Sequence, residues 1–97
     1  MAKVTVVARL VAKADTVDPV KRELLKLITP TRMEAGCLEY RLHQDMTNPS
    51  LFIFYENWES RDCLERHLTS CHYKNYVTAV ANLIAEKTVN IMTEVEA

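Results

Sequence analysis

The chain holds little of what would mark a specialised class. One glycine in 97 residues, Gly36, excludes a glycine-rich phosphate loop and any low-complexity segment. Charge of neither sign dominates. Twelve Lys and Arg stand against thirteen Asp and Glu, for a formal net charge of -1, and the basic residues fall singly along the chain. That excludes the basic stripe expected of a nucleic-acid binder. No apolar run approaches the ~18 residues of a membrane span, and Met1-Ala2-Lys3-Val4 does not begin an apolar leader. A cytoplasmic address, with no membrane and no nucleic-acid partner, is therefore expected. The three cysteines, Cys37, Cys63 and Cys71, are an odd number, which argues against a disulfide framework and for reduced thiols.

Cys63, His67, Cys71 and His72 are residue types that bind zinc. On one helix, however, positions 63, 67 and 71 would spread over roughly 12 Å at about 1.5 Å per residue, too far for one ion. The cysteines read better as small buried hydrophobes, and no metal is expected.

What is present is a hydrophobic content of 48% with 26% charged residues, ordinary for a folded chain. Ninety-seven residues imply one domain, which alone buries only about two-thirds of the surface its unfolded chain exposes. Lys3 to Lys13 reads as a strand with apolar residues on both faces. Val17, Val20, Leu24, Leu27, Ile28 and Thr31 recur at helical spacing, with Thr16 or Asp18 as cap, and Pro30 predicts a kink or break. Gly36 sits where a helix end wants a left-handed residue. Cys37 to Met46 alternates as a strand, Thr47-Asn48-Pro49-Ser50 is a turn, and Leu51 to Trp58 is a nearly continuous apolar strand, so a hairpin follows. Ser60 caps a helix through Cys63, Leu64 and Leu68. Ser70 caps its continuation through Tyr73, Tyr76, Val77, Val80, Leu83 and Ile84, with Thr69-Ser70 as the point where the helix can break in two, and Glu86 to Glu94 closes the chain as a fourth strand.

The order βαββαβ predicts a ferredoxin-like α+β fold with a four-stranded antiparallel sheet. Two helices cover one face of such a sheet. With the first and third strands apolar on both faces, the open face calls for a second copy, so a two-fold homodimer is expected.

Side-chain alternation puts Phe54, Glu56 and Trp58 on one face of the third strand. His67, two turns into the next helix, would meet that row if it faces the sheet. A carboxylate, an indole and an imidazole would then share one space, where a Glu raised by burial or a His near pKa ~6.5 could act as general base. Bland readings stand beside this one. Glu56 serves as well as partner to a buried Arg9 or Arg41, Trp58 as a packing anchor and pocket wall, and His67 as a helix histidine bonded to a backbone carbonyl. His72 reads as a capping or surface histidine, His43 as part of a solvated strand face, and Tyr73 and Tyr76 as core with one hydroxyl reaching the cavity.

Phe52-Ile53-Phe54-Tyr55-Glu56-Asn57-Trp58-Glu59-Ser60, followed by Leu64, His67, Leu68, Ser70, His72 and Tyr76, resembles the signature of the antibiotic biosynthesis monooxygenase family. Glu34-Ala35-Gly36-Cys37-Leu38 matches the family's pattern ahead of the hairpin. The resemblance runs from the first strand to the last, over a single domain at residues 1–97, and implies a dimeric α+β barrel. Each subunit would hold a cavity for a small phenolic, quinol or enol-like molecule, oxidised by molecular oxygen with no metal, flavin or haem. Glu56 and His67 would be catalytic, and Phe54, Trp58, His72 and Tyr76 would bind substrate. A polyketide-tailoring branch carries Asn where this chain has Phe54, which points away from anthrone-type substrates. A haem-degrading branch carries an Asn in the first strand, and Val4 to Val11 has none. An isomerase branch acting on phosphorylated carbonyl sugars is similar at Tyr55-Glu56, His67 and Thr69-Ser70-Cys71-His72-Tyr73. A dimer that binds a small ligand without turnover is the third reading, and it predicts an Arg neutralising Glu56.

Overall fold

The computed structural model describes residues 3–97; Met1 and Ala2, part of the stretch considered as a leader, lie outside them. The elements run β1 (Val4–Ala12), a short 3-10 turn (Ala14–Thr16), α1 (Val17–Arg32), β2 (Cys37–Gln44), β3 (Leu51–Trp58), α2 (Arg61–Leu68), α3 (Cys71–Val80) and β4 (Ile84–Met92). All strand pairs are antiparallel and the spatial order is β2-β3-β1-β4. This is the expected ferredoxin-like α+β fold, with the second helix divided in two at Thr69-Ser70. Among the described residues no helix is long and apolar enough to cross a membrane.

Register decides which residues meet. Val4, Val6, Ala8 and Leu10 on β1 lie opposite Trp58, Glu56, Phe54 and Phe52 on β3, and Tyr40 and Leu42 on β2 flank Glu56 and Phe54 from the other side. The helices cover this face. Val20, Leu24, Leu27 and Thr31 of α1, Leu64 of α2, and Tyr76 and Val80 of α3 are buried. The helices do not reach β4 as fully: Val89 and Ile91, on the covered side opposite Ala8 and Val6, remain 47% and 41% exposed. On the open face Val7, Val11, Leu51, Ile53 and Tyr55 mix with Thr5, Arg9 and Asn57. That face is less uniformly apolar than the strand pattern suggests.

Several boundaries differ from expectation. α1 continues through Pro30 to Arg32 without a break. Pro30 lies in the last turn, so the missing amide costs one helical bond near an end that would fray anyway. Thr16 does not cap α1 with its side chain; its hydroxyl donates to the carbonyls of Lys13 and Leu83, both at 2.8 Å. Holding Leu83 in this way, with Lys13 N–H also bonded to its carbonyl, ends α3 at Val80 and starts β4 at Ile84, two residues before the expected Glu86. β2 stops at Gln44 because the Asp45 carboxylate accepts the amides of Thr47 and Asn48, which begins the turn early. Ser60 and Ser70 cap as expected, each hydroxyl accepting an amide, from Cys63 and Tyr73 respectively, at 3.3 Å.

Gly36 has φ +84, and a Cβ on it would overlap the Cys63 side chain. The left-handed turn lets the chain leave α1 tightly under α2, and it fixes Glu34, two residues upstream, beside the start of α3.

Candidate active site

Phe54, Glu56 and Trp58 share the covered face of β3 and are all buried. Glu56 Oε1 accepts a 2.9 Å hydrogen bond from Trp58 Nε1. Among the described residues no arginine neutralises it. Arg9 lies opposite Ile53 and Arg41 opposite Tyr55, so both belong to the open face, and Arg41 pairs with Glu39 at 3.3 Å. The expectation of a Glu56–Arg pair is thus overturned by strand parity. With no ion pair to hold its charge among the described residues, the Glu56 carboxyl is pushed up to about 7, chiefly by burial and further by the charge of Glu34. The Trp58 hydrogen bond and Lys87 pull the other way.

His67 is 2% exposed, in the last turn of α2. Its ring lies 4.8 Å from that of Trp58, 5.7 Å from Tyr40 and 5.1 Å from Tyr73. The alternative bond to a backbone carbonyl is not what forms. Nδ1 lies 2.7 Å from Glu34 Oε2, and the same oxygen lies 2.7 Å from His72 Nε2. A carboxylate only accepts, so each facing ring nitrogen carries a proton. His67 is therefore held with its proton on Nδ1, leaving a lone pair on Nε2. Burial lowers the His67 pKa below 6.5, against the opposing pull of Glu34, so the neutral ring dominates at neutral pH.

Phe54, Glu56, His67 and Tyr76 all line one cavity of about 50 Å³ between the sheet and the helices. Val6 and Ala8 form its floor, and Tyr40, Tyr73 and Lys87 add polar atoms to its walls. Lys87 Nζ sits 5.2 Å over the Tyr76 ring and bonds the Tyr73 hydroxyl at 3.4 Å. Burial raises the Tyr40 and Tyr76 phenols, which stay protonated as donors. The volume suits one or two waters at about 30 Å³ each. At its rim Val89 and Ile91 of β4 line the cavity while still reaching solvent.

Trp58 does not line this cavity; it backs the His67 ring and ties down Glu56. His72 lies on the far side of Glu34, in a cleft of about 140 Å³ with Glu23 and Asn75, and is neither a helix cap nor free at the surface. Glu34 joins the two histidines, and sequence reasoning gave it no role. Its only signal was its place in the Glu34-to-Leu38 pattern. His43 is exposed on the open face, as expected. The donor atoms of Glu34, His67 and His72 all lie within 4.8 Å of one another, and neither Cys63 nor Cys71 joins that cluster.

Residues 3–79 match the family model described as antibiotic biosynthesis monooxygenase. The chain is 37% identical over 81 residues to the Mycobacterium tuberculosis protein named "Putative monooxygenase Rv0793", an alignment covering 84% of this chain and 79% of that one. The solved structure of Rv0793 superposes with a TM-score of 0.92 at 30% identity, covering 99% of this chain and 98% of that chain. PA3566 from Pseudomonas aeruginosa superposes with a TM-score of 0.94, also at 30% identity, over 99% of this chain and 97% of that one. These likenesses carry a monooxygenase-like function in general terms, without a substrate. The chain belongs to the antibiotic biosynthesis monooxygenase family.

Proposed function

We propose that the protein is a cofactor-independent monooxygenase of small phenolic, quinol or enol-like molecules, working in the cytoplasm as a homodimer. The observation that carries this reading is the pairing, across one small cavity, of an imidazole with its free nitrogen defined by Glu34 and a carboxyl that holds its proton to about pH 7. His67 Nε2 takes the proton of a substrate hydroxyl. The resulting anion is electron-rich enough to reduce oxygen, one electron at a time, and carbon–oxygen bond formation gives a peroxide on the substrate carbon. Glu56 protonates the distal oxygen, the O–O bond breaks, and water leaves. For a quinol the sum is quinol plus O2 to hydroxyquinone plus water, with all four electrons accounted for by substrate and product. The tyrosine hydroxyls and Lys87 stabilise the anion, and the apolar floor keeps water from it.

Without an Arg beside Glu56, the non-catalytic reading loses the neutralised carboxylate it requires. The experiment is oxygen consumption over a panel of quinols, run beside deuterium incorporation into carbonyl sugars in D2O. Oxygen uptake with one hydroxylated product per O2 is expected. Solvent deuterium entering a sugar with no oxygen consumed would instead assign the acid and base to isomerisation.

The homodimer is supported by the half-buried Val7, Val11, Leu51 and Ile53 on the open sheet face. Sedimentation at micromolar concentration is expected to give twice the 11.2 kDa chain mass. A monomer under those conditions would overturn it.

A further inference from the structure

We propose that Glu34, His67 and His72 form a binding site for a divalent transition ion such as zinc, and that occupancy switches the catalytic base off. Three donors of the types zinc prefers converge from three separate pieces of backbone: the turn after α1, the last turn of α2 and the first turn of α3. Both histidine nitrogens already point at one carboxylate oxygen, each at 2.7 Å. In a tetrahedral zinc site with ligand bonds of about 2.0–2.2 Å, neighbouring ligand atoms stand about 3.3 Å apart. The two Glu34–His contacts therefore have to lengthen by about 0.6 Å each, and the two histidine nitrogens, which lie within 4.8 Å of each other, have to settle to that same spacing. His72 is partly exposed and lines the cleft beside Glu23 and Asn75, which gives the ion a way in and room for a water as fourth ligand.

The consequence for His67 follows from its tautomer. A metal on Nδ1 displaces the proton now shared with Glu34, and the neutral ring then carries its proton on Nε2. The nitrogen facing the cavity changes from acceptor to donor, and it can no longer take a proton from a substrate hydroxyl. Binding itself is independent of the oxygenase reading; only the inhibition rests on it.

Zinc affinity of the metal-free protein is read by competition with a chromophoric chelator, and the ligand set by the absorption of the cobalt-substituted form. One ion per chain is expected, bound equally by Cys71→Ser and at least about tenfold more weakly by His72→Ala and Glu34→Gln. Cobalt should show no thiolate charge-transfer band. Affinity unchanged in His72→Ala, loss of binding in Cys71→Ser, or a thiolate band would each overturn the site. In the oxygen assay, zinc is expected to stop turnover and a chelator to restore it. Zinc bound with turnover intact would overturn the switch and leave the oxygenase reading standing. Inactivity of the metal-free wild type would sink the oxygenase reading and leave zinc binding to be judged by the chelator titration.

Discussion

His67→Gln is expected to lower turnover by roughly 10²- to 10⁴-fold, the usual contribution of a positioned general base, while leaving the fold intact. Glutamine is close to histidine in volume and its amide can still donate to Glu34, so the buried contacts with Trp58 and Tyr73 are largely kept. What it lacks is a basic nitrogen at a position that lines the cavity. Glu34→Gln separates positioning from catalysis, because Glu34 touches His67 and lines no part of the cavity. Its carboxylate pulls the His67 pKa upward and fixes the tautomer. The variant should keep a fraction of the wild-type rate and move the acid limb of the kcat/KM profile to lower pH. A purely structural role would lower the rate without moving that limb. Wild-type turnover in His67→Gln would remove His67 from the mechanism.

The geometry behind this prediction was half legible in the sequence. Alternation along β3 correctly places Phe54, Glu56 and Trp58 on one face, because a strand's period of two leaves no other choice. The same parity bears on arginine. Once β3 pairs antiparallel with both β1 and β2, Arg9 and Arg41 fall opposite Ile53 and Tyr55, on the face away from Glu56. Register across strands, unlike alternation within one, is a long-range property, and the local pattern does not supply it. Glu34 was silent for a related reason. It sits in a turn with no periodicity, and its partners lie 33 and 38 residues away in sequence. The break at Thr69-Ser70 is legible from the Ser70 cap, but not that it brings His67 and His72 to the same carboxylate from two different helices. The boundaries of α3 and β4 were set by a tertiary bond, Thr16 to the Leu83 carbonyl, and no propensity at Leu83 or Ile84 announces it.

Glu56→Gln is expected to change stability and rate through one proton. The folded-state pKa of Glu56 is raised from 4.5 to about 7 by burial first, then by Glu34. A raised carboxyl contributes stability that is fully present below the unfolded value, near pH 4.5. That stability is lost as pH rises through the folded value near 7, because the unfolded chain ionises first. A shift of this size corresponds to about 3 kcal/mol at about 1.4 kcal/mol per pH unit, large against the stability of a small domain. His67 works in the opposite sense: its lowered pKa gives stability that is present above 6.5 and falls away as pH drops through the folded value. Wild type and Glu56→Gln share the His67 contribution, so their difference isolates Glu56. Urea unfolding at fixed protein concentration from pH 4.5 to 8 should show the glutamine variant gaining on wild type by about 3 kcal/mol across that range. Parallel curves would mean that Glu56 ionises as an ordinary surface acid. The same proton limits catalysis, because the carboxyl must still hold it to protonate the departing oxygen. Wild-type kcat should fall above about pH 7, and the variant, unable to donate, should lose that alkaline limb along with most of its rate. A buried acid with no ion pair thus couples the two readouts: the pH that deprotonates it both loosens the fold and removes the proton the reaction needs.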